Sequence, residues 1–172
     1  MSKRLLTIVL VSAAAMLAPR NARAQEAGIM LAASAPGAAV ETLDGKPVDL
    51  GAYLHGKPAV LEFWATWCPL CKQMAPAMES ARMKYAGRVT FVSVGVKDNQ
   101  TAAKQKAYAE SKHIGGEFVF DRDGKAVAAY KVPHTSYLVV VDAMGKVVYT
   151  GVGPEQDVDA AVAKGLGMEG GR

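Results

Sequence analysis

An apolar run, Ala59-Val60-Leu61-Glu62-Phe63-Trp64, leads directly into Trp67-Cys68-Pro69-Leu70-Cys71, and these are the only two cysteines of the 172-residue chain. A short apolar run opened by Lys57-Pro58 reads as a buried strand. The residues after the cysteines read as a helix running from about Cys68 into the mid-80s, with Pro76 inside it as a kink. Strand, tight turn and helix therefore set Cys68 at a helix start, where unpaired N–H groups and the helix dipole stabilise a thiolate. Two cysteines at this spacing close too small a loop to staple a fold. They can close on each other and reopen, passing two electrons to another disulfide. An inert disulfide and half of a metal site are the competing readings. A tetrahedral metal site needs more ligands, and His55, His113 and His134 form no spaced cluster with the cysteines.

The N-terminus is patterned as a cleavable secretory signal. Lys3 and Arg4 precede an apolar stretch, Leu5 to Ala18, that is short for a membrane span. Ala22-Arg23-Ala24 offers small residues to a signal peptidase, which places residues 1–24 in the leader and predicts a periplasmic or otherwise exported protein; an uncleaved anchor is the alternative. Lys3, Arg4, Arg20 and Arg23 account for the whole excess of Lys and Arg (20) over Asp and Glu (16). The rest of the chain is formally neutral, so the basic isoelectric point is no sign of nucleic-acid or anionic-membrane binding. No phosphate-loop pattern points to a nucleotide. One thiol pair in an exported chain is read as a working pair, in a domain large enough to bury a core without staples.

Along the chain, 25–35 reads as a linker, 36–165 as one domain and 166–172 as a flexible, Gly-rich tail. Asp44-Gly45 marks a hairpin turn between Val40–Leu43 and Lys46–Leu50. Strands are expected at 89–96, 118–120, 137–142 and 146–150, and helices at 100–113, 126–131 and 154–164. The alternation predicts an α/β fold: a mixed central β-sheet flanked by helices, with an N-terminal β-hairpin extension.

The segment Phe63-Trp64-Ala65-Thr66-Trp67-Cys68-Pro69-Leu70-Cys71-Lys72, with Pro76 five residues after the second cysteine, resembles the active-site segment of the thioredoxin superfamily. It is most similar to its exported TlpA/ResA-like thiol-disulfide oxidoreductases. Ala35-Pro36-Gly37 through Asp44-Gly45-Lys46-Pro47-Val48 resembles the N-terminal extension of the redoxin branch. The resemblance covers about residues 36–165 and implies a thioredoxin-like fold. It implies that Cys68 is the exposed nucleophile and Cys71 the shielded cysteine that resolves a mixed disulfide. It also implies that Glu62, six residues before Cys68, is a buried carboxylate that exchanges a proton with Cys71. A solvent-facing residue on an edge strand is the alternative for Glu62. Strict alternation puts Glu62, Trp64 and Thr66 on one face of the strand.

Trp67 and Pro69 border the cysteines and are candidates for substrate contact. Trp64 reads as core, and Met74, Met78 and Met83 as a core stripe rather than a copper site. Thioredoxin-like proteins set a cis-proline opposite the cysteines. Here either Pro133 is that proline and the loop is longer, or Thr135-Ser136 replaces it; Pro133 and Thr135 are the substrate-binding candidates.

The leading expectation is an exported oxidoreductase that reduces protein disulfides through Cys68 and Cys71. The resemblance implies electrons from a membrane thiol donor and roles such as cytochrome c maturation. An oxidase using the same site and a copper-binding, metallochaperone-like module are alternatives. A peroxidase would need Pro and Thr or Ser at the positions held by Leu61 and Ala65. No cofactor is required, since the cysteines carry the electrons, no metal site is expected, and the chain is expected to act as a monomer.

Overall fold

The computed structural model describes residues 28–168, so the leader at 1–24, the start of the linker at 25–27 and the tail from 169 to 172 lie outside the described residues. The chain runs through β1 (Ala39–Thr42), β2 (Pro47–Asp49), a 3-10 turn (Leu50–Tyr53), β3 (Ala59–Trp64), α1 (Pro69–Lys84), β4 (Thr90–Val96), α2 (Ala102–Lys112), β5 (Glu117–Asp121), α3 (Lys125–Ala129), β6 (Tyr137–Val141), β7 (Val147–Val152) and α4 (Val158–Gly165). The sheet order is β2-β1-β5-β4-β3-β6-β7. β3, β4 and β5 are parallel, while β6 and β7 add antiparallel on one side and the β1–β2 hairpin on the other. This is the mixed sheet of a thioredoxin-like fold with the expected hairpin extension.

β3 is central, hydrogen-bonded to β4 and to β6, and all six of its residues are buried. That burial on both faces explains why the run reads as continuously apolar, Glu62 excepted. Leu61 and Phe63 share a core with Tyr130, Tyr137 and Val139. Val60 packs with Met74, Met78, Leu138 and Val162 beneath α1 and α4. α2 crosses on the same face as α1, where the side chain of Gln105 fills the space over Gly95 that a Cβ would occupy. With its oxygen turned inward, the Gln105 amide accepts from Trp64 Nε1 at 3.1 Å and from the Gly95 N–H at 3.2 Å.

Four expectations are corrected. Residues 28–35 are not a linker along their described length. The Ala32 N–H donates to Val147 O (2.8 Å), the Val147 N–H to Ala33 O (2.9 Å) and the Ala35 N–H to Gly145 O (2.8 Å), while Ile29 is buried. This segment pairs with the start of β7 and so covers the edge of the sheet. Residues 166–168 are not free tail but cap α4, with N–H bonds from Leu166 to Val162 O and from Met168 to Ala163 O. Met83 leaves the core stripe and is exposed, whereas Met74, Met78, Ala81 and Tyr85 are buried. Five residues past Met78 is a turn of about 140° at 3.6 residues per turn, which points Met83 away from the sheet. α4 also begins later than expected: the Asp157 side chain caps it by accepting from the Ala160 N–H at 2.9 Å, and Pro154–Gln156 form a turn.

Candidate active site

Cys68 ends the turn after β3 and caps α1, with Pro69 in the first helical position, where a missing N–H costs nothing. Its own N–H donates to Ala65 O at 3.1 Å. The Cys68 sulfur accepts from the Cys71 N–H at 3.1 Å, and the two cysteines are joined as a disulfide with Cα atoms 5.4 Å apart. That N–H is one of the orphan donors of the helix start, so a Cys68 thiolate would receive a hydrogen bond as well as the dipole.

The expectation of an exposed Cys68 is corrected. In the disulfide state Cys68 is 1 % exposed and Cys71 5 % exposed. The start of α1 is set into the same buried cluster as Trp64, Ala65 and Tyr130. Trp67 stands out beside it, 44 % exposed.

The turn that carries the cysteines is held by a residue the sequence reading passed over. Gln100 is buried. Its oxygen accepts from the Thr66 N–H at 2.9 Å, and its NH₂ donates to Val96 O at 2.7 Å and Trp64 O at 3.3 Å. It therefore satisfies the backbone where β3 and β4 both end. Trp67 is anchored from the same side, its indole N–H donating to Asp98 O at 2.6 Å. A lone Gln ahead of a polar helix carries no local signal for this role.

Glu62 is buried on the central strand, opposite Ser93 of β4 and Leu138 of β6, so the edge-strand alternative is excluded. Arg82 reaches it from α1. Nη2 of Arg82 lies 3.6 Å from Glu62 Oε2 and donates to Ser93 Oγ at 3.1 Å, while Nη1 lies 3.7 Å from Glu79. The Arg82 Nε is buried without a partner, and its guanidinium lies 5.9 Å from the Phe91 ring centroid. Burial pushes the Glu62 carboxyl up to about 7, with the Arg82 charge only partly opposing it. Glu62 therefore sits near the midpoint of its titration at neutral pH, the condition a proton shuttle needs. Arg82 was not legible in advance, because nothing in a helix marks which of its cations turns inward.

A cleft of about 370 Å³ opens between α1 and α2; Glu62, Trp64, Cys71, Arg82, Tyr108 and Phe118 line it. Glu62 and Cys71 share this space; Cys68 does not line it.

The backbone of the loop at 132–136 follows one of the two alternatives for the proline position. There is no cis peptide bond among the described residues, so the Val132–Pro133 bond is trans, and Pro133 is exposed. Where the chain re-enters the sheet it is Ser136 that stands, buried, with φ of 66°. Its N–H donates to Phe63 O at 2.9 Å, and its carbonyl and hydroxyl oxygens each lie 3.2 Å from the Gly153 N–H they accept. The Gln156 amide donates to Ser136 O and to Gly153 O. These tethers fix the loop end without a proline and leave Pro133 three residues upstream. Thr135 is half-buried, and His134 is exposed with Nδ1 3.0 Å from Thr135 O. Among the described residues no three His, Cys, Asp or Glu side chains are grouped to hold a metal.

The chain is 30% identical over 115 residues to the thiol-disulfide oxidoreductase ResA of Bacillus subtilis, covering 66% of this chain and 63% of that protein. It is 37% identical over 92 residues to the soluble secreted antigen MPT53 of Mycobacterium tuberculosis, 54% of this chain and 51% of that one. The chain thus spans about half to three-fifths of the length of these curated relatives. A crystal structure of a thiol:disulfide interchange protein of the thioredoxin family from Chlorobium tepidum superposes with a TM-score of 0.65 at 26% identity, over 81% of this chain and 99% of that one. The Redoxin family model matches residues 30–166, most of the chain and all of its sheet. With the cysteine pair at the start of α1 and the hairpin extension at the sheet edge, this match shows that the chain belongs to the redoxin family.

Proposed function

We propose that this protein is an exported thiol-disulfide oxidoreductase that reduces protein disulfides through Cys68 and Cys71. The observation that carries the proposal is the Cys68–Cys71 disulfide at the N-terminus of α1, with Cys71 facing the same cleft as a buried carboxyl. In the reduced protein, the Cys68 thiolate attacks a sulfur of the partner disulfide. The partner's S–S bond breaks and a mixed disulfide forms on Cys68. Glu62 takes the Cys71 proton, and the Cys71 thiolate attacks Cys68, releasing the partner's second thiol and restoring the Cys68–Cys71 disulfide. The protein is oxidised by two electrons and the partner reduced by two. In this reading Trp67, Pro69, Pro133 and Thr135 form the docking surface, and Trp67 is its exposed aromatic side chain.

The buried cysteines require the docking surface to yield before a partner sulfur reaches Cys68. Export rests on the leader-like residues 1–24, and no described helix is long and apolar enough to cross a membrane. A membrane thiol donor would re-reduce the pair, and cytochrome c maturation is the role the family resemblance implies.

The test is trapping. In Cys71→Ser, mixed disulfides on Cys68 cannot resolve, so partner proteins should accumulate as adducts released by reductant. Absence of adducts from the exported protein in its own host refutes the reading. Equilibration of the pair with glutathione gives the direction: a potential well below that of glutathione marks a reductase, one well above it an oxidase.

A further inference from the structure

One guanidinium serves two carboxylates behind the cysteines. Glu79 and Arg82 lie one turn apart on α1, and Arg82 reaches across to Glu62 on β3. Its Nη2 stands 3.6 Å from Glu62 Oε2 and its Nη1 3.7 Å from Glu79 Oε2. Both separations are longer than a charge-assisted hydrogen bond, about 2.7–2.9 Å. The Nη2 hydrogen bond goes instead to Ser93 Oγ at 3.1 Å, and the Nε is buried with no partner. The guanidinium is therefore in charge contact with both acids and fully engaged by neither.

The two acids differ in what ionisation costs them. The Glu62 and Arg82 side chains are each 9 % exposed, the Glu79 side chain 44 %. Glu79 carries its charge in contact with water, whereas Glu62 ionises only against desolvation. The strands beside Glu62 bring no charge, since Ser93 and Leu138 stand opposite it. Cys71, Lys72, Glu79 and Arg82 face the cleft from α1, and Tyr108 and Lys112 from α2, with His113 at its end. Lys57 and Glu117 line the neighbouring hollow that Glu79 and Arg82 also border. Among the described residues, only Arg82 is in ion-pair contact with Glu62. An arginine keeps its charge at every working pH, so Arg82 responds to Glu62 by position and not by titration. Whatever hold Glu79 has on it is withdrawn from Glu62.

We infer that Glu79 is a positioning residue for Glu62, acting through Arg82: the two carboxylates share one counter-charge, and the share held by Glu79 keeps Glu62 ready to hold a proton. While Glu62 is protonated, Arg82 pairs with Glu79 and the group is neutral. When Glu62 loses its proton, the same guanidinium faces two negative charges. Glu79 thereby makes Glu62 the stronger base toward a proton from Cys71. The bearing on exchange rests on the proposed function, in which Glu62 takes that proton.

The oxidised protein isolates the effect, because its disulfide leaves neither cysteine to titrate. The side-chain carboxyl carbons of glutamate are followed by NMR across pH, the Glu62 signal being the one missing from Glu62→Gln. Glu79→Gln should lower the Glu62 midpoint by about half a pH unit or more, since Arg82 then serves Glu62 alone. Arg82→Gln, which removes the charge and keeps an amide donor, should raise it by about one unit or more, and Arg82→Lys should return it part of the way. Adding Glu79→Gln to Arg82→Gln should move the midpoint no further. An unmoved midpoint in Glu79→Gln overturns the inference, and that substitution sits at a half-exposed site where folding is not at stake. A fall just as large when Arg82 is already replaced also overturns it, because Glu79 would then act by direct repulsion. The second readout is single-turnover exchange of the reduced proteins with insulin disulfides over the same pH range. Its half-point should follow the Glu62 midpoint in each variant. A midpoint that moves as expected while the exchange profile stays in place supports the positioning role and counts against Glu62 as the proton acceptor of the proposed function.

Discussion

Replacing Glu62 with glutamine should make the protein more stable at alkaline pH and nearly indifferent to pH between 5 and 8. The folded protein holds the Glu62 carboxyl at about 7 against an ordinary value of 4.5. Below pH 4.5 both folded and unfolded chains keep the proton, and the site contributes nothing to pH dependence. Between 4.5 and 7 the unfolded chain releases the proton while the folded one retains it, so stability falls as pH rises. Above 7 the full penalty persists. At about 1.4 kcal/mol for each pH unit, the cost at pH 8 is about 3 kcal/mol. In a domain of this size that is a difference of about 10 °C in melting temperature. The glutamine amide has no proton to lose and mimics the protonated acid beside Arg82 and Ser93. Urea unfolding of the oxidised proteins at pH 5 and pH 8 reads the effect directly. The two proteins should differ by less than about 1 kcal/mol at pH 5, and Glu62→Gln should be clearly the more stable at pH 8. An identical pH slope in both would refute the assignment of a raised carboxyl pKa to this residue. Disulfide exchange should move in the opposite sense, slowing in Glu62→Gln although the fold has gained stability, because the proton acceptor for Cys71 is gone. Exchange rates unchanged across the same pH range would remove Glu62 from the mechanism.

Gln100→Ala strips partners from the Thr66 N–H and from two carbonyls at the ends of β3 and β4. It should cost about 2–4 kcal/mol in chemical denaturation and weaken protection of the Thr66 amide in hydrogen exchange. Ser136→Pro, which installs a proline at the loop end, should destabilise the protein by at least about 2 kcal/mol: the position needs φ of 66° and an N–H for Phe63 O, and proline supplies neither. Ser136→Gly, which tolerates the dihedral, should cost less than Ser136→Pro in the same urea titration. Pro133→Ala should leave the melting temperature within about 1 °C, since that residue is exposed.

The sequence by itself determined the fold class, the strand and helix order, the hairpin extension and the cysteine pair. These rest on local signals: an apolar run of strand length, Asp44-Gly45 at a hairpin, a thiol pair at a helix start, and the absence of any cysteine or ligand cluster elsewhere. It also singled out Glu62, because a carboxylate within an apolar strand is conspicuous whatever surrounds it. The tertiary structure alone decided what faces those residues. Arg82 and Ser93 reach Glu62 from another helix and another strand, and Gln100 pins the turn that presents Cys68 from beyond the end of β4. Contacts between elements far apart in the chain leave no periodic trace, so none of the three could be told from any other polar residue of its segment. The linker was misjudged, and two alternatives were left open at 132–136, for the same reason: what fixes them is backbone hydrogen bonding to β7, to Phe63 and to Gly153, which any residue with the right main-chain path can supply. Whether Cys68 is exposed was likewise a matter of packing. The same residues that mark the start of α1 also sink it into the core, leaving Cys71 as the cysteine that lines the cleft.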